Sequence, residues 1–91
     1  MFLDGPATTG AVTVTTSAIE AKVGGTVLSE RKSLAIQPID YDIEWSYSSG
    51  FSLGTGHIIY AGTLIYVQTG ETLPVYLRAA QNTDVRLSEI S

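Results

Sequence analysis

The most regular stretch of the chain is Ile39-Asp40-Tyr41-Asp42-Ile43-Glu44-Trp45-Ser46-Tyr47-Ser48, in which every odd position is apolar or aromatic and every even one polar. A period of two is the signature of a strand with one buried face. It predicts Ile43, Trp45 and Tyr47 facing a core, with Asp42 and Glu44 facing water. Pro38 cannot donate to a ladder, so the strand proper is expected to start near Tyr41, with a hairpin corner around residues 38–40.

The remaining pattern is of the same kind in shorter pieces. Residues 11–15 alternate with Val12 and Val14 inward, and residues 32–37 carry Leu34 and Ile36 on one face. Residues 58–60 and 63–68 flank Ala61-Gly62, residues 73–79 follow a Thr-Gly-Glu-Thr turn, and residues 85–90 follow Gln81-Asn82-Thr83-Asp84. No window sustains a period of 3.6; residues 17–22 offer at most one helical turn before Gly24-Gly25. Thr, Val, Ile and Tyr suit a pleated, half-buried surface, and glycines fall mainly between the apolar runs. The expected fold is all-β, a small antiparallel β-sandwich or jelly-roll-like barrel of roughly six to eight short strands. Residues 1–10 are expected to form an extended N-terminal arm and residues 11–91 a single domain, with a Ser/Gly-rich loop over residues 48–56.

Composition narrows the function. The chain has 91 residues, 44% of them apolar and only 15% charged, too apolar for a disordered chain. Its net charge is −4, and apart from the adjacent Arg31-Lys32 pair its five basic residues are dispersed, which argues against a phosphate-backbone partner. The absence of cysteine excludes disulfides, thiolate nucleophiles and zinc–thiolate sites. The longest apolar-rich window, residues 58–67, is too short to span a bilayer, and the N-terminus has no apolar stretch of signal-peptide length. The expectation is a soluble protein that meets neither nucleic acid nor membrane.

Catalytic and metal chemistry find little purchase. One histidine, His57, falls short of the several a cupin-type metal site needs, and no Gly-x-Ser-x-Gly elbow presents a nucleophile. Asp40, Asp42 and Glu44 form a same-face row that could hold Ca²⁺ or act as an acid/base pair. Spacings of roughly 6.5–7 Å along a strand suit neither role well, and a solvated face is the simpler reading. Gly54-Thr55-Gly56 and Gly24-Gly25 lack the Lys and following helix of a phosphate cradle. No enzyme, cofactor or metal is expected. Trp45, Tyr41 and Tyr47 could form a sugar-stacking platform, although they also share the only apolar face of their strand.

Protein contact is better supported. Tyr76 and Arg78 fall out of phase with Val75, Leu77 and Ala79, and both residue types are enriched at interfaces. Residues 63–67 are apolar on both faces, so Ile65 and Val67 are candidates for burial against a neighbouring subunit. Phe2 and Leu3 add an apolar arm outside the strand pattern. These six residues are the candidate interface.

Val12-Thr13-Val14, then Arg31-Lys32-Ser33-Leu34-Ala35-Ile36-Gln37, then an Asp-Ile-x-Trp strand, resemble small virion structural proteins of tailed bacteriophages. Val75-Tyr76-Leu77-Arg78-Ala79-Ala80 and Asn82-Thr83-Asp84-Val85-Arg86-Leu87-Ser88-Glu89 extend the resemblance over most of the chain from residue 11 onward. It implies a non-enzymatic capsid decoration or cement protein on the outer capsid surface, bound to the major capsid protein or other virion proteins. It also implies a homo-oligomer, with a trimer favoured. A tail, neck or fibre component would use the same fold, and a carbohydrate-binding module is the remaining alternative.

Overall fold

The computed structural model describes residues 6–91 and is all-β. Eight strands run in order: β1 (Ala7–Val14), β2 (Ile19–Glu20), β3 (Ser33–Pro38), β4 (Ile43–Ser46), β5 (His57–Ile59), β6 (Ile65–Gln68), β7 (Tyr76–Arg78) and β8 (Thr83–Ile90). They form two four-stranded antiparallel sheets, ordered β1-β8-β3-β6 and β2-β7-β4-β5. The pairing is nested: first with last, second with seventh, third with sixth, fourth with fifth. Only β4 and β5 form a hairpin; every other connection passes from one sheet to the other.

Alternation along each strand selects the core. Val12 and Val14 of β1, Leu34 and Ile36 of β3, Ile65 and Val67 of β6, and Val85 and Leu87 of β8 point inward from one sheet. Ile43 and Trp45 of β4, Ile59 of β5 and Leu77 of β7 meet them from the other. The inward phase expected for these strands therefore holds, except for Tyr47, which is exposed beyond the end of β4, and Tyr41, which is exposed before it.

Four expectations need correction. Residues 17–22 form no helical turn: Ile19 and Glu20 pair with Leu77 and Tyr76 as β2, because a two-residue edge there closes the second sheet. Residues 38–40 are not a hairpin corner, since β3 and β4 belong to different sheets and residues 39–42 cross between them. Residues 7–10 are not an arm. Their Ala-Thr-Thr-Gly pairs with Ser88, Glu89 and Ile90 and with Leu87, so the first strand starts four residues earlier than its apolar alternation suggests. Residues 1–5 of the expected arm lie outside the described part of the chain, and Pro6 is tied to the sheet by its carbonyl, which accepts the Ser91 N–H. Finally, β8 starts at Thr83, whose hydroxyl accepts the Asp40 and Tyr41 N–H groups.

The sandwich has two unlike ends. The short connections, residues 15–18, 39–42, 60–64 and 79–82, gather at one end. The long loops, residues 21–32, 47–56 and 69–75, gather at the other.

Candidate protein interface

Two charged side chains at the long-loop end serve the fold. Arg31 and Glu89 form an ion pair, Nη1 to Oε2 at 2.9 Å, with side chains 0% and 1% exposed. Glu89 Oε1 accepts the Val23 N–H and Oε2 the Leu28 N–H, at 2.8 and 3.0 Å. Arg31 donates to the carbonyls of Ala21, Gly70 and Leu73. One buried pair thus supplies the polar partners that two loops need in order to close over the core. Val23 follows its N–H inward and lies so near Gly10 that a Cβ there would sit 2.8 Å from Val23 Cγ1.

A second clamp shapes the loop at residues 47–56. Glu44 points outward from β4 and its carboxylate accepts the Gly54 and Gly56 N–H groups at 2.8–3.0 Å. Phe51 is thereby folded back and buried, with the Arg78 guanidinium 5.8 Å from its ring centroid. Arg78 also donates to the carbonyls of Phe51 and Thr16. Gly56 permits the approach: a Cβ there would lie 2.6 Å from the Phe51 ring and 2.9 Å from the Trp45 carbonyl oxygen.

The carboxylate row therefore divides three ways. Glu44 holds this loop, Asp42 accepts the Ala61 N–H at 2.8 Å, and Asp40 faces the Asp84 N–H at 3.4 Å. Asp42 and Glu44 border a shallow depression with Ile43, Ile58, Ala79 and Ala80. Among the described residues no three metal-ligating side chains converge. His57 lies at the exposed edge of β5, its ring tilted against Trp45 at 4.9 Å, while Tyr47 meets Trp45 edge-on at 5.1 Å. Trp45 and Tyr47 thus stand at 86° to each other and form no flat shared platform.

Of the six residues singled out from sequence, Phe2 and Leu3 lie outside the described residues. Val67 is buried in the core and the partly buried Ile65 packs against it, so both side chains point inward. Tyr76 is half-buried on the outer face of the second sheet, opposite Glu20 and Ser46. Arg78, on the same face, is held by the loop it clamps. The structure brings Tyr76 and Arg78 together and separates them from Ile65 and Val67.

What lies open is the complementary phase. Ile58, Tyr60, Leu64 and Tyr66 are 58%, 63%, 49% and 63% exposed, set along the two edge strands β5 and β6 and the turn that joins them. Ile39 and Tyr41 add exposed apolar surface on the neighbouring connection, which is tied to this turn by the Gly62 N–H bonding the Pro38 carbonyl. The sequence carries a signal for this margin that strand phasing overlooks. Residues 45–70, 26 in succession, contain no Asp, Glu, Lys or Arg. Edge strands are ordinarily guarded by charge, proline or a bulge; β5 and β6 carry neither charge nor proline.

No family model matches the chain, and no curated protein or solved structure shows significant similarity to it.

Proposed function

We propose that this chain is a non-enzymatic structural protein of a bacteriophage particle, a capsid decoration or cement protein that binds the major capsid protein on the outer shell. The observation that carries the docking part of this reading is the uncharged, apolar margin along β5 and β6. Several large apolar side chains exposed along one side of a small domain, here on the edges of both sheets and the turn between them, are a mark of protein contact. The nested pairing of eight strands supports the jelly-roll form of the sandwich, the order obtained when one long antiparallel ribbon is rolled up, and a form found among viral capsid domains. The particle itself rests on the resemblance of residues 11 onward to virion proteins. Many copies on one lattice would multiply a modest contact into firm attachment.

Particles purified on a density gradient from a culture producing this chain test the proposal. The chain is expected to co-band with the full capsid and to leave it when Tyr60 and Tyr66 are replaced by Lys. Recovery only at the top of the gradient overturns the reading, and co-banding with isolated tails moves it to the tail.

A further inference from the structure

We infer that β6 is a self-association edge, at which a second copy of this chain adds antiparallel across a two-fold axis near Tyr66. The inference rests on the docking reading above, but not on the particle.

The geometry of the edge comes first. The Thr69 N–H donates to the Lys32 carbonyl, so the 32/69 pair is hydrogen-bonded. Hydrogen-bonded pairs alternate along an antiparallel ladder, which makes Leu34/Val67 and Ile36/Ile65 the next such pairs. The N–H and C=O groups of the intervening residues, Tyr66 and Gln68, therefore point away from β3. The Gln68 carbonyl confirms the direction, accepting the Tyr47 hydroxyl at 3.4 Å from outside the sheet. At Tyr66 the outward N–H and C=O have no sheet neighbour, because β6 ends the order β1-β8-β3-β6. Two copies related by a two-fold axis normal to the sheet can exchange both bonds at this residue, with Tyr66 beside Tyr66 on the outer face.

Charge selects the occupant. In an isologous contact each group faces the same few groups of its twin, so a charge near the axis meets its like. Only residues close to the axis meet their own kind, and there Tyr66 and the rest of β6 lie inside the uncharged run of residues 45–70, so no like charges are opposed. A basic or acidic partner, by contrast, would find nothing here to recognise. The opposite edge of the sheet, β1, is also uncharged, but its outward residues Ala7, Thr9, Ala11 and Thr13 are small or hydroxylated and offer little apolar area. A trimer built head to tail would have to join β6 to such a different edge; β6 alone suffices for a two-fold pair.

Sedimentation equilibrium of the full chain at micromolar to hundred-micromolar concentration tests this, with circular dichroism and thermal unfolding confirming that each variant folds. The wild type is expected to reach twice the monomer mass. Tyr66→Pro removes an N–H that faces outward, so β6 keeps its bonds to β3 while edge addition is blocked. It is expected to weaken association about tenfold or more, as is Tyr66→Lys, whereas Thr13→Lys on β1 leaves it unchanged. A monomeric wild type, a folded Tyr66→Pro that still dimerises, or loss of the dimer in Thr13→Lys alone would each overturn the inference. A monomer that nonetheless co-bands with particles refutes only this edge pairing; a β6 dimer with no affinity for particles refutes only the virion reading.

Discussion

The long-loop end and the β5–β6 margin are built from the same palette and treated in opposite ways. In the two loop clamps, Arg31, Glu89, Glu44 and Arg78 turn their charges toward backbone N–H and C=O groups, and the three long loops are drawn down over the sandwich. The margin's own residues carry no charge, and Ile58, Tyr60, Leu64 and Tyr66 stand in water. The chain has only fourteen Asp, Glu, Lys and Arg residues, nine acidic and five basic. Committing several of them to loop closure leaves fewer for the surface. The contrast teaches that low charge content and exposed apolar area are linked here: one region is closed by the chain's own charges, and the other is left open.

The comparison breaks most severely at Glu89. Glu89→Gln leaves the Arg31 guanidinium buried without its counter-charge, and removing one partner of a buried pair costs about 3–5 kcal/mol. A domain of this size has roughly 5–14 kcal/mol in total, so urea unfolding should show a large fall in midpoint. Amide exchange at Val23 and Leu28 should quicken with it. The double variant Arg31→Met/Glu89→Leu should recover much of the loss, because apolar replacement of a whole buried pair is often neutral or better. A loss under about 1 kcal/mol in Glu89→Gln would show that the pair does not clamp the loops.

Gly56→Ala is the next largest. The added Cβ meets the Phe51 ring, which can shift, and the Trp45 carbonyl oxygen, which cannot. Overpacking of this kind costs about 1–3 kcal/mol, and the loop at residues 47–56 should become sensitive to protease while the sheets persist. Thermal unfolding and limited proteolysis together check this. A protein that tolerates the alanine with the loop still resistant would mean that Phe51 is not held down by Glu44 and Arg78.

Sequence pattern revealed most of the strands and their inward faces, though not their pairing, because alternation is a local property of each strand. Val12, Leu34, Ile43 and Leu77 all lie where a period of two puts them. The loop clamps were not legible in the same way. Arg31 and Glu89 stand 58 positions apart and look like surface residues beside Lys32 and Ser88 until β3 and β8 are paired. The inward turn of Ile65 and Val67 was hidden for a related reason. Residues 63–67 are apolar on both faces, and nothing local says which face a four-residue strand turns inward; the choice is made by Leu34 and Ile36 across the ladder. Only the long run without charge marked the margin independently of phase.

At the margin itself stability should hardly respond. Tyr66→Lys replaces an exposed ring on an edge strand, and the expected change in monomer unfolding free energy is within about 0.5 kcal/mol, or slightly favourable at low concentration. Loss of association with unchanged monomer stability is the outcome that separates an open docking surface from a covered one. If Tyr66→Lys instead lowered the unfolding midpoint as far as Gly56→Ala does, the margin would belong to the fold, and the contrast between the two regions would fail.

The smallest effect is expected on β8, three residues from the largest. Arg86 pairs with Asp84 at 3.1 Å on the outer face of the first sheet, with side chains 56% and 40% exposed. Water and salt screen such a pair, and it typically contributes no more than about 1 kcal/mol. Arg86→Gln should therefore shift the urea midpoint barely beyond error, and high salt should erase even that. Glu89→Gln should keep its full effect in the same salt, since its partner is shielded from the solvent. The two substitutions share a strand, so strand propensity and pairing act alike on both and burial is left as the difference. Equal losses from the two would mean that charge on β8 acts through the field of the whole molecule, and that the loops need no clamp of their own.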